Sequence, residues 1–291
     1  MIRSIIKKCF IKTNLSAKVN LFIIGAQKCG TSTLFDNLIK HKKIIGGVKE
    51  KNFFSHPYLF LKGLDWYYSL FHSKKIYFDI LSKNYYVDAS PSYLPSKEVA
   101  KRIHSYNPNA KIIVMMRNPI DRAFSAWNMY KQMNLLSDDE KESLIRKFIL
   151  GQTDEEKDKF VAMINLTVFP TFEEMVEQEL HDIKNNIQPY PGILKRGIYH
   201  EQIEKYHALF SHNQFFYICS EEFKKNKTGI LIELFDFLSL ENVVSTEKLE
   251  DKHKREYQNK MSPEIRENLK IFYEPYNQKL FSLINKTYNW E

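Results

Sequence analysis

The sequence is short of the features that mark several protein classes. It carries three cysteines, Cys9, Cys29 and Cys219, an odd and widely scattered set. That pattern excludes a disulfide framework and any zinc-binding spacing, and it favours a reducing compartment, so a cytoplasmic location is expected. Long hydrophobic runs are missing as well. No apolar stretch approaches the roughly 20 residues that span a bilayer, and the N-terminal MIRSIIKKCFIKTNLSAKVN has no signal-peptide core. Residues 1–20 read as a basic leader, either loosely packed or a short surface-binding segment. Without internal repeats or a low-complexity linker, residues 21–291 read as one soluble domain. No His, Cys and carboxylate cluster has ligand spacing, and His41, His56 and His72 are dispersed, so no metal is expected.

What is present is ordinary for a soluble globular chain: 291 residues, 43% hydrophobic and 27% charged. The formal net charge of +8 suits an acidic ligand. Its lysines are spread along the whole chain, however, so the charge argues for a solvated surface and not for nucleic acid.

One stretch concentrates chemistry. Leu21 to Leu34 reads LFIIGAQKCGTSTL. Leu21 to Ile24 suits a buried parallel strand, and Leu34, Leu38 and Ile39 then follow at helix-face spacing. Between them, Gly25 and Gly30 bound a turn that opens into Thr31, Ser32 and Thr33. A strand, a glycine-bounded turn and a helix start suit phosphate, because the free N–H groups of the first helical turn point at the anion. The spacing matches the nucleotide-triphosphate loop G-x-x-x-x-G-K-[ST], but Thr31 stands where that loop has lysine. The loop's own cation is Lys28. Cys29 is either oxidation-sensitive or simply a small residue that fits.

Further strands are expected at Ile44–Val48, Tyr85–Val87, Ala110–Met116 and Gln214–Cys219, alternating with helices. The pattern predicts an α/β, P-loop-like, three-layer fold, with a central parallel sheet of about five strands and helices on both faces. Thr171 to Glu174 has capping-box spacing, and Met261-Ser262-Pro263-Glu264 is a helix start. The charged segment 135–170 reads as a flap or insertion. Ligands of such sheets bind beyond the carboxyl ends of the strands, where the first loop, Glu50, Asp88 and Arg117 would gather.

Two of these points carry candidate roles. Arg117 and Ser125, eight residues apart across a strand end and the next helix, can grip one phosphate, since a guanidinium fork suits phosphate oxygens. The structural account of Arg117 is an ion pair with Asp121. Glu50 is a candidate general base whose pKa would rise if Phe53 and Phe54 desolvated it; otherwise it is a surface residue between Lys49 and Lys51. Trp66 and Tyr67 can frame a sugar ring or belong to the core.

GAQKCGTSTL resembles the 5′-phosphosulfate loop of sulfotransferases that use 3′-phosphoadenosine 5′-phosphosulfate (PAPS). By that resemblance Lys28, Cys29, Gly30, Thr31, Ser32 and Thr33 contact the phosphosulfate, and Lys28 assists the leaving group. IIVMMRNPIDRAFSAW resembles the family's 3′-phosphate motif, which implies that Arg117 and Ser125 hold that phosphate. Lys49-Glu50-x-x-Phe53-Phe54 followed by Gly63-x-x-Trp66-Tyr67 is similar to the heparan-sulfate-type branch, where the glutamate is the catalytic base. Arg196-Gly197-x-Tyr199 resembles a cofactor-binding segment that implicates Tyr199. KHKREY matches a basic loop over the nucleotide and implicates Lys254 and Arg255. Trp66, Asp88 and Tyr93 fall on the acceptor side. Two departures stand out: Ala89 replaces a lysine of the glycosaminoglycan enzymes, and the membrane anchor and C-terminal disulfide of animal Golgi members are not seen.

The resemblance implies a stand-alone, metal-independent enzyme. It would transfer a sulfuryl group from PAPS to a hydroxyl or amine, with a carbohydrate as the expected acceptor. The rival readings are a P-loop phosphotransferase using Mg-ATP, opposed by Thr31, and a non-catalytic polyanion-binding module, opposed by the concentrated phosphate loop.

Overall fold

The computed structural model describes residues 18–71, 84–149, 154–242 and 260–290. The apolar run becomes strand β1, Leu21–Gly25, with all five residues buried. A strand covered on both faces needs a continuous apolar run and not an alternating one. The other strands are β2 (Ile44–Ile45), β3 (Tyr85–Ala89), β4 (Lys111–Met116) and β5 (Phe215–Cys219). They form one parallel sheet in the order β2-β3-β1-β4-β5. The chain therefore leaves β1 for one side and later crosses to the other, which makes the carboxyl end of β1 the topological switch point. The register with β4 slips between Ile23 and Gly25, where β1 leaves the sheet.

Helices surround this sheet: α1 (Thr31–Leu38), α2 (Pro57–Leu61), α3 (Gly63–Ser69), α4 (Val99–Tyr106), α5 (Pro119–Asn134), α6 (Asp138–Ile149), α7 (Asp154–Ile164), α8 (Phe172–Lys184), α9 (Tyr199–His207), α10 (Ser220–Lys225), α11 (Lys227–Phe237) and α12 (Pro263–Ile284). Their starts follow local chemistry. Asn118 accepts from Ile120 N–H with Pro119 at the first helical position, Thr171 and Glu174 complete a capping box, and Ser262 caps α12. After β5 the sequence reads as one helix to Leu240, but Asn226 breaks it by capping α11 through Gly229 N–H.

Two apolar clusters form the core. The larger spans the sheet and takes in Phe53, Phe54 and Tyr67. The second joins Trp127 of α5, Phe160, Met163 and Ile164 of α7, Phe172 of α8 and Tyr273 of α12. The 135–170 segment accordingly divides. Most of α6 lies at the surface, whereas α7 is anchored in this second cluster, with Asn134 Nδ2 donating to Ile164 O and Leu166 O. Among the described residues no helix is long and apolar enough to cross a membrane.

Candidate active site

The phosphate loop is shaped by its backbone. Ala26 N–H donates to Met115 O on β4, which pins the loop to the sheet as it leaves β1. Gly30 caps α1 with a left-handed φ of 95°, and a Cβ there would stand 3.2 Å from Met115 Cε. A Cβ on Gly25 would lie 2.8 Å from Leu94 Cβ, so both glycines are structurally required. No side chain caps α1, and the N–H groups of Thr31, Ser32 and Thr33 precede its first internal hydrogen bond, Leu34 N–H to Gly30 O. The structure thus leaves three aligned donors and the positive end of a helix at the carboxyl edge of β1. Lys28, also left-handed with φ 71°, is half-buried in the same loop.

Cys29 points the other way. Its thiol is fully buried, 3.8 Å from Tyr199 Oη, and burial pushes it up to about 11. A neutral, enclosed thiol offers no nucleophile, and the side chain does not open toward the edge. Tyr199 is buried too, donating to Arg117 O at 2.8 Å. It ties β4 to the phosphate loop from below. From above, Arg196 Nη1 donates to Gln27 Oε1 at 3.2 Å.

Arg117 stands at the end of β4 with its side chain largely covered. The alternative account of Arg117, an ion pair with Asp121, is not what forms: Arg266 takes Asp121. Arg117 instead lies 3.9 Å from Glu221 Oε1, a carboxylate already accepting from Asn118 N–H and Cys219 Sγ. Arg117 Nε is buried and has no hydrogen-bond partner. It is the Arg117 atom that faces Glu221, across an ion pair too long for a hydrogen bond, so its N–H stays open to an anion. Ser125 is buried on α5, two turns along.

Sequence reasoning passed over Arg122, which is fully buried, donates to Ile193 O, and leaves Nε and Nη1 without partners. Its place three residues before Ser125, on the same helical face, was the available signal. Glu179 supplies the neighbouring negative charge while accepting from Ile193 N–H and Leu194 N–H at 2.6 and 2.7 Å.

Glu50 lies on a loop pinned to the end of β3. Glu50 N–H donates to Ala89 O at 2.9 Å, Asn52 N–H to Ser90 Oγ and Phe54 N–H to Tyr93 Oη. Glu50 and Asn52 are both left-handed, at φ 57° and 51°. The desolvating flank expected of Phe53 and Phe54 is absent: both rings are buried in the core, and the Glu50 side chain is 54% exposed. Its neighbour is Lys49, whose Nζ donates to Ser32 Oγ and lies 3.3 Å from Glu50 Oε1. The sequence placed Lys49 in the motif with Glu50 and in a charged triplet but gave it no role of its own.

Asp88 and Tyr93 do not reach the edge. Asp88 is fully buried and accepts from Tyr67, Tyr93 and Ser90 at 2.7–2.8 Å, while Tyr206 holds Tyr93 O. Both residues are struts under the Glu50 loop and not acceptor contacts. Lys51 turns inward as well, to Val87 O and the Phe71 ring, with its pKa lowered by burial and partly restored by Asp88. It therefore does not replace the cation missing at Ala89. Trp66 is half-buried on α3 beside Lys62 and the Phe53 ring, and it does not line the cleft of about 410 Å³ walled by Phe53, Phe60, Leu64, Lys101 and Arg102. Lys254 and Arg255 lie outside the described residues. Among the described residues no three His, Cys, Asp or Glu are arranged to hold a metal ion.

A phosphate loop without the triphosphate lysine, at the switch point of a 2-3-1-4-5 parallel sheet, has a match among known proteins. The family model described as "Sulfotransferase domain" covers residues 18–280. The chain belongs to this sulfotransferase family. Its relatives include the membrane-associated sulfotransferase kil1 of Dictyostelium discoideum, 24% identical over 94% of this chain and 66% of that protein. They also include the bifunctional heparan sulfate N-deacetylase/N-sulfotransferase of Drosophila melanogaster, 24% identical over 81% of this chain and 21% of that protein. The chain thus spans less than two thirds of both. A mouse heparan sulfate glucosamine 3-O-sulfotransferase 6 is 21% identical over 92% of the chain and 72% of that enzyme. Among solved structures, a sulfotransferase from Alicyclobacillus acidocaldarius superposes with a TM-score of 0.60 at 26% identity, covering 94% of this chain and 99% of that one.

Proposed function

We propose that this sulfotransferase takes its sulfuryl group from PAPS and transfers it to a hydroxyl or amine, with a carbohydrate as acceptor. The observation that carries the donor is the pair of anion sites on one sheet edge: the uncapped start of α1, and the buried Arg117, whose Nε faces Glu221 at 3.9 Å but makes no hydrogen bond. Two phosphate groups at opposite ends of one nucleotide call for two such sites. The residues present fit the donor. The amides of Thr31, Ser32 and Thr33 would hold the 5′-phosphosulfate, and Arg117 with Ser125 the 3′-phosphate. Bound there, the donor supplies a sulfuryl group on a phosphate leaving group.

The chain's own residues then have distinct work. Glu50, exposed and with lone pairs to spare, accepts the proton of the attacking acceptor group. Lys28 sets a positive charge beside the leaving phosphate, a pre-oriented electrostatic contribution of the type that dominates many active sites. Cys29 and Tyr199 act from behind, as packing that keeps the loop in shape. The carbohydrate acceptor rests on the named activities of the heparan sulfate relatives and on the partly exposed Trp66, on whose face a sugar can stack.

Calorimetry in EDTA with 3′-phosphoadenosine 5′-phosphate (PAP), the spent donor, tests this reading. Metal-free binding that is lost when the 3′-phosphate is removed is the expected result. Binding of ATP only with magnesium would replace the donor assignment with a kinase.

A further inference from the structure

Adjacent side chains do not normally meet: along a strand they alternate faces, and along a helix they diverge by about 100°. Lys49 and Glu50 are adjacent, yet Lys49 Nζ lies 3.3 Å from Glu50 Oε1 while also donating to Ser32 Oγ on the first turn of α1. The backbone makes this contact. Glu50 sits at φ 57° with its N–H fixed on Ala89 O, which turns its carboxylate back toward the residue before it. Asn52, at φ 51° and fixed on Ser90 Oγ, then restores the chain direction.

A left-handed residue other than glycine is strained, and this loop holds two of them. The ion pair formed in return sits at the rim, with Lys49 22% and Glu50 54% exposed. Such a rim pair adds little to stability. Stability does not account for the arrangement.

We propose that Lys49 is a positioning residue that couples the phosphate-binding helix to the Glu50 carboxylate. An ammonium has three N–H donors. One holds Ser32 Oγ and one faces Glu50, so a third is available to an anion at the helix start. A full positive charge thereby reinforces the partial charge of the α1 N-terminus, and the same group fixes where the base points relative to the donor. Lys49 differs from Lys28 in position: Lys28 lies on the phosphate loop itself, whereas Lys49 reaches the helix start from the loop that carries Glu50. The proposal rests on the reading of Glu50 as base.

Four proteins test it: Lys49→Met, Lys49→Arg, Glu50→Gln and the Lys49→Met/Glu50→Gln double variant. PAP affinity is measured by calorimetry, and turnover with PAPS and N-desulfated heparin as the acceptor probe. Lys49→Met should weaken PAP roughly tenfold in both the wild-type and the Glu50→Gln backgrounds, as loss of one charge-assisted hydrogen bond does.

Turnover should separate the two roles. Lys49→Met should lower kcat about tenfold or more in the presence of Glu50 and by much less in its absence, with the acceptor KM little changed. Lys49→Arg, which keeps the charge, should recover most of the PAP affinity. Unchanged PAP affinity in a folded Lys49→Met protein would overturn the proposal. Equal, additive losses of kcat in both backgrounds would remove the link to the base. If Glu50→Gln alone leaves turnover intact, the base reading fails, while the PAP measurements still decide whether Lys49 serves the donor site. Should Lys49→Met not fold, Lys49→Gln gives the same comparison.

Discussion

Two acids close together in the fold, one inside β3 and one on the loop fastened to its end, have opposite fates. Asp88, in β3, is fully buried and takes hydrogen bonds from Tyr67, Tyr93 and Ser90. Glu50, on the loop fastened to that strand's end, is 54% exposed and faces a single lysine. A buried carboxylate must have its lone pairs filled, and once filled it has nothing left to offer a substrate. Its tyrosine partners stay protonated donors, because burial and the Asp88 charge hold Tyr67 and Tyr93 well above the usual phenol range. Chemistry is left to the acid with spare capacity, and the saturated one supports it from below.

The sharpest way to break this contrast is Glu50→Gln. Turnover should fall by roughly 10² to 10⁴-fold, the usual worth of a general base, with PAP affinity and melting temperature unchanged. Normal turnover would remove Glu50 from the chemistry. A third acid, Glu179, is buried like Asp88 but beside the Arg122 guanidinium. Glu179→Ala strips two backbone donors and leaves a buried charge uncompensated, so a loss of about 3 kcal/mol is expected in urea denaturation. A loss below about 1 kcal/mol would show that the pair is not structural.

Asp88→Asn should show the reverse of Glu50→Gln: stability lower by about 2 kcal/mol, and turnover per folded molecule within a few-fold of wild type. A large loss of turnover without a loss of stability would return Asp88 to the active site. Arg117→Ala should weaken PAP about tenfold or more and barely affect 3′-dephosphorylated nucleotides, as calorimetry would report.

The smallest effect is on pH dependence. Burial, assisted by His212, lowers His207 from 6.5 to about 4. The unfolded chain then takes up a proton near pH 6.5 that the folded chain refuses until about pH 4. Stability is therefore lost as pH falls through that window. His207→Phe should flatten this part of the melting-temperature profile, and an unchanged slope would show that His207 is not its source.

Much of this was legible early because it is local. The run Leu21 to Ile24, the two glycines that follow and the proline-led helix starts act through short-range sterics and hydrogen bonds, so they needed no partners to be read. What misled was the direction of side chains. Phe53 and Phe54 looked like a desolvating flank and Asp88 and Tyr93 like acceptor contacts, while Asp121 stood as an alternative partner for Arg117. Each was decided by tertiary placement: the aromatic core around Tyr67, the Tyr67 hydroxyl that reaches Asp88 from α3, and Arg266 on α12. Arg122 was passed over and Lys49 was read only as part of a motif, since burial and a contact to Ser32 are set by the fold.

By itself, the sequence determined a parallel α/β sheet, a phosphate-binding turn after its first strand and the family to which the turn belongs. These follow from backbone periodicity and from where glycine is tolerated. Only the tertiary structure decided which acids are struts and which is open, which cation meets which anion, and that Lys49 joins the helix start to Glu50. A side chain's charge is written in the sequence; its exposure and its partners are set by the whole fold.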